Sequence, residues 1–135
     1  MSDGRWEVQT AIYAALVAAG VGTSDTIKSP VPEGYAPPNQ TDIYFSIEDG
    51  DATDDDCEGM TGLDERIVIH AWHRAQSYKT MKQSISLIRD ALHNKQLTVT
   101  GQVDAYSLVR SDQIMKDPDG LHLHGVIEVI VLHHS

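Results

Sequence analysis

The apolar residues Met81, Ile85, Ile88 and Leu92 follow one another in steps of three or four, and the chain on both sides of them is written in a period of two. A helix with one apolar stripe must cover that stripe, and the covering partners offered here are strands, so the helix has to lie on a sheet. Upstream, ERIVIHAWH (residues 65–73) is rich in β-branched and aromatic residues and carries no polar stripe at helical spacing. Earlier still, Ile43, Phe45 and Ile47 alternate with Tyr44, Ser46 and Glu48 over residues 42–48, as expected of a half-buried strand. Downstream, residues 96–100, 102–115 and 121–133 read as strands, broken by Gly101 and by the turn Asp117-Pro118-Asp119-Gly120. Ser77 is placed to cap the helix, which the spacing predicts over residues 77–93 with Asn94 near its end.

A second helix is predicted over residues 4–19, where Val8, Ile12, Ala15, Leu16 and Ala19 share a stripe, Asp3 stands at the N-cap position and Gly20 stops it. Residues 20–40 hold four of the five prolines, so this stretch reads as an extended excursion with a short edge strand near residues 26–29. The order is helix, strands, helix, strands. The class it implies is α+β, a mostly antiparallel sheet with two helices packed on one face, in a single domain spanning residues 1–135.

Charge and cysteine content narrow the function. Ten basic against twenty acidic residues leave a formal charge of −10, which repels a phosphate backbone and offers no counterion-release affinity for nucleic acid. The single Cys57 has no internal disulfide partner and sits among acids that suppress its thiolate. The early residues do not read as a signal peptide, and no apolar run is long enough for a membrane span, so the expected setting is a cytoplasm.

The acidic stretch DDDCEGMTGLDE (residues 54–65) places Asp54, Asp56, Glu58, Gly59 and Glu65 at ligand and turn positions of an EF-hand calcium loop. An EF-hand needs a helix on each side of the loop, and here both flanks read as strands. The expectation is therefore an exposed acidic hairpin tip, with Asp49, Asp51, Asp54, Asp55, Asp56 and Glu58 forming a channel or partner surface; a calcium-binding module is the alternative from another class. His70 and His73, three apart on a strand, face opposite ways and cannot share a metal, whereas His122 and His124 share a face and await a third ligand from His133 or His134. Trp6 reads as a helix-start anchor and Trp72 as a core or interface aromatic. With no nucleophile elbow, phosphate-binding loop or dinucleotide fingerprint, neither an enzyme nor a cofactor is expected.

Taken in order, the chain resembles the tail-completion proteins, or tail terminators, of long-tailed phages and gene transfer agents. WEVQTAIYAALVAAG resembles that family's first helix, and VPEGYAPPNQTDIYFSIED its proline-rich lead into a strand. ERIVIHAWHRAQSYKTMKQSISLIRDAL resembles its strand ending in a Trp and the helix after it, and KDPDGLHLHGVIEVIV its last hairpin. The resemblance implies a structural virion protein assembled in a bacterial cytoplasm. Its copies would form a ring, commonly a hexamer, on the end of the tail tube, where they would end polymerisation and join the tail to the head connector. The implied partners are the chain itself, the major tail tube protein and a head-side connector or stopper, with DNA passing through unbound. A head-to-tail adaptor or stopper in the neck is the nearest alternative role.

Overall fold

The computed structural model describes residues 5–24, 26–28, 43–54, 62–74, 78–102, 104–118 and 120–134. The elements run α1 (Arg5–Ala18), β1 (Ile27–Lys28), β2 (Tyr44–Asp54), β3 (Gly62–Arg74), α2 (Lys79–Leu92), β4 (Lys95–Gln96), β5 (Asp104–Lys116) and β6 (His122–His134). The strands form one six-stranded sheet in the order β1-β2-β3-β6-β5-β4. Only β1 on β2 is a parallel pair; the other pairings are antiparallel. The expected α+β class is what the chain adopts.

Alternation along the three long central strands sorts their side chains. Phe45 and Ile47 from β2, Ile67, Ile69 and Ala71 from β3, and Leu123, Ile127, Val129 and Val131 from β6 are all buried. They form one core cluster with Val8, Ile12 and Leu16 of α1 and Met81, Ile85, Ile88 and Leu92 of α2. Both helices therefore lie on the same face. α2 sits over β5 and β6, while α1 packs beside α2 and its first turns stand next to β1 and β2. At the centre of this packing is Gly125: a Cβ there would come within 2.9 Å of Met81 Sδ and 3.6 Å of Ile85 Cδ1. The missing side chain lets the helix approach the sheet closely.

Helix ends follow backbone chemistry. Gly20 stops α1 at φ +79°, with its N–H on Val17 O and that of Val21 on Leu16 O. Tyr78, with no side-chain cap bond, occupies the N-cap of α2. The expected cap Ser77 lies outside the described residues. At the other end Asn94 adopts φ 54°, a left-handed turn that asparagine tolerates better than most residues.

Two irregularities could not be read from alternation. In β2 the register moves from Asp49↔Ile67 to Ala52↔Glu65, so Gly50 and Asp51 together oppose Arg66. This bulge lets β2 continue to Asp54, where a loop was expected from residue 49. In β5 a second bulge at Arg110 separates Val109↔Val129 from Ser111↔Glu128. It transfers the helix-facing positions from odd to even numbers, which brings Asp112 to Arg89 of α2 at 2.8 Å and packs Ile114 against the core.

A buried polar group closes one end of the core. His133 Nε2 lies 3.2 Å from Glu65 Oε1 and its Nδ1 lies 2.8 Å from Gln102 Oε1, with His133 1% and Glu65 2% exposed. The pair ties β3 to β6 and to the turn before β5. Removing one partner leaves the other without compensation: His133→Leu should cost about 3–5 kcal/mol in denaturant unfolding, whereas the double change with Glu65→Leu should recover most of that loss. Ile85→Asp should abolish cooperative unfolding, because an unpaired carboxylate on this stripe costs several kcal/mol, comparable with the whole stability. Gly125→Val should lower stability by about 1–3 kcal/mol through overpacking under Met81, with Gly125→Ala milder because Sδ can shift.

Candidate assembly surface

With both helices on one side, the other face of the sheet carries the even-numbered side chains of β3, of β6 and of β2 before its bulge, Tyr44 to Glu48. Tyr44, Trp72 and His124 form a row across three strands, since Trp72 pairs with Tyr44 on one side and His124 on the other. Their rings stack, with centroids 5.4 Å apart for Tyr44–Trp72 and 5.0 Å for Trp72–His124. His70, one pleat along β3, stacks on both Trp72 and His124. Trp72 is thus half-buried on this face and is not a core aromatic, one of the two readings its β-rich surroundings allowed. Trp6 is 69% exposed at the start of α1, so it anchors nothing within the described fold.

A polar chain runs through the same cluster. His70 Nδ1 and His124 Nε2 are 2.9 Å apart, His70 Nε2 lies 2.9 Å from Glu48 Oε2, and Ser46 Oγ donates to that same oxygen at 3.3 Å. The short His–His contact requires one ring to donate and the other to accept, so it is lost when both are charged. Burial and the neighbouring His70 hold the His124 pKa below its ordinary value, against smaller opposite pulls from Asp117 and Glu48. Further along, Glu128 Oε1 forms ion pairs with Arg66 Nε and Arg110 Nη1, each at 3.3 Å. Two of the ten basic residues therefore share one carboxylate.

The His122/His124 candidate gains no ligand from His133. His124 bonds His70, and His133 sits nine places further along β6 on the opposite face, held by Glu65. It cannot supply the third ligand, because the period of two sends odd and even positions apart. Among the described residues no three His, Cys, Asp or Glu side chains converge on a metal position. His73 does turn inward, 6% exposed, away from His70 as its spacing required. No described helix is long and apolar enough to cross a membrane.

The acidic residues divide. The backbones of Asp49, Asp51 and Asp54 belong to β2, while Asp55, Asp56 and Glu58 lie outside the described residues. Glu65, the twelfth place of the calcium loop, is a buried residue of β3 bonded to His133, and Asp54 at the first place pairs with Leu63. Two paired strands stand where an EF-hand needs helices. A groove of ≈ 360 Å³ runs between Trp6, Gln9, Thr10 and Tyr13 of α1 and Ile27, Lys28 and Ile47. That lining offers no acid–base pair of the kind hydrolysis requires.

Among the described elements the helices cover one side of the sheet, and the other side carries this aromatic and charged row. The fold matches a chain in the virion of a native gene transfer agent particle with a TM-score of 0.79 at 16% identity, over 100% of both chains. Comparison with curated proteins finds no match. The model of the family described as tail completion protein gp17 matches residues 10–134. The chain belongs to that family and is a structural tail protein of virion-type particles, which bears out the resemblance.

The His124 shift gives a signed expectation. An unfolded histidine titrates near 6.5 and the folded one lower, so below that pH the unfolded chain binds more protons and stability falls with pH until the folded pKa is passed. Melting curves from about pH 7 to about pH 5 should show a declining midpoint, and His124→Gln should remove part of that slope.

Proposed function

We propose that copies of this chain form a closed ring, a hexamer by family resemblance, on the end of the tail tube, stop its polymerisation and join the tail to the head-side connector or stopper. The observation that carries this reading is the family match over residues 10–134, nearly the whole chain. The one-sided sheet supports it, since the face with no described helix over it offers an ordered surface to the tube, the connector or a neighbouring copy. The ring's partners are then the major tail tube protein below and the connector above. No catalytic step is involved.

The formal charge of −10 fits a neck through which DNA must slide. An acidic wall repels the phosphate backbone and so does not retain it. The stretch of residues 49–58 is the part of the chain best suited to face the channel or a partner. Converting Asp54, Asp55 and Asp56 to Asn should leave the isolated fold's melting unchanged, since adjacent like charges contribute repulsion and little cohesion.

Electron micrographs of particles made without the protein test the role. Tails of uncontrolled length beside unattached heads are expected. Capped tails of normal length that fail to join heads would favour the adaptor or stopper role, and normal particles would refute both.

A further inference from the structure

Backbone parity identifies which groups the sheet leaves unused. Phe45 donates its N–H to Thr26 O, away from β3, so Ala71 turns towards β6 and the odd residues of β6 towards β3. The even residues of β6 therefore face β5, as the Asp117 N–H on His122 O confirms. On β5 the partners of Ile127, Gly125 and Leu123 are Asp112, Ile114 and Lys116. Their N–H and C=O groups point out of the sheet. The first half of the same edge is occupied: β4 pairs at Tyr106 and Ser107, and His93 Nδ1 takes the Val109 N–H at 3.1 Å. Beyond the bulge at Arg110, β4 has ended, and among the described residues nothing pairs with the backbone of residues 112–116.

The opposite end of the sheet has a matching edge. Among the described residues β1 pairs with β2 at Phe45 and Ser46 alone. After the bulge in β2, Ala52 opposes Glu65, an odd residue of β3 whose backbone faces β6, so Ala52 and Asp54 turn their own backbone groups away from the sheet. The two edges differ in charge. Residues 48–54 carry Glu48, Asp49, Asp51 and Asp54 and no base, whereas residues 110–116 carry Arg110 and Lys116 against Asp112 alone. A chain of net charge −10 can pair with its own kind only where unlike charges meet.

We propose that, in the ring, the edge of β5 at residues 112–116 pairs as a strand with the β2 edge, residues 49–54, of the next copy. Because the two edges lie near opposite ends of one sheet, the contact is heterologous and head-to-tail, the kind that closes into a ring when the rotation per copy is right. A pairing of five or six residues is weak alone, so rings form where a tube end gathers the copies. This rests on the ring reading above.

The test uses full-length chain assembled on tail tubes and free chain. Hydrogen exchange of the amides of Asp112, Ile114 and Lys116 should slow at least ~10-fold on assembly, with little change at Gln113 and Met115, already bonded to β6. Lys116→Pro, which removes an N–H with no partner among the described residues, should melt as wild type but fail to form rings. If that variant does not fold, charge reversal decides: Arg110→Glu with Lys116→Glu should lower incorporation at least ~10-fold, and adding Asp49→Lys with Asp54→Lys should restore it. Normal rings from these variants, with unprotected β5 amides, would overturn the edge pairing and leave the terminator role standing. Wild-type chain absent from tail ends would overturn both.

Discussion

The contact on which the rest of the structure depends is the seating of α2 on Gly125. Met81 and Ile85 come down on a strand position with no side chain, so the helix lies as close to β6 as the backbone allows. That approach lets Ile88 and Leu92 reach full burial beside Ile127 and Val129, and places α1 next to α2 on the same side. Apolar burial of this kind is the dominant favourable term in a small domain. Here it is spent on one face of the sheet.

One-sided burial dictates what the molecule can offer to others. The opposite face is stabilised laterally, by stacking of Tyr44, Trp72, His70 and His124 and by Glu128 between two arginines, with no described helix over it. Among the described residues the sheet's edges are closed only in part, by two-residue strands at each end. Long unpaired edges are a hazard for an isolated protein and a resource for one that acts as a subunit. A structural tail protein has to be soluble before assembly and committed after it, and marginal edges with unlike charges fit both demands.

Periodicity made most of this legible. Steps of three and four gave both helices to within two residues, alternation gave the central strands, and the gap in the proline-rich stretch held the short β1 as expected. What remained hidden depends on register. The His70–His124 contact joins residues 54 apart, and the Glu65–His133 pair joins residues 68 apart; both are neighbours only because β3 runs antiparallel to β6 with Trp72 opposite His124. Sequence spacing grouped His122 with His124 because it sees only one strand at a time. From the sequence Trp72 reads as core or interface because aromatic residues suit both faces of a strand, and only the helix side decides which is inside. The bulges at Gly50–Asp51 and Arg110 each shifted a strand's parity, which lengthened β2 and turned Asp112 and Ile114 inward. The family resemblance came from the order of elements, which survives such local shifts.

A density map of the tail–neck junction in the assembled particle tests the central claim most directly. The account predicts a ring in which each copy touches two neighbours of its own kind and the tube below, with acidic residues on the channel wall. Density for the protein in the capsid shell or at the distal tip, or its absence from particles, would contradict the assignment. A ring with a basic lumen would keep the assignment and contradict the electrostatic reasoning.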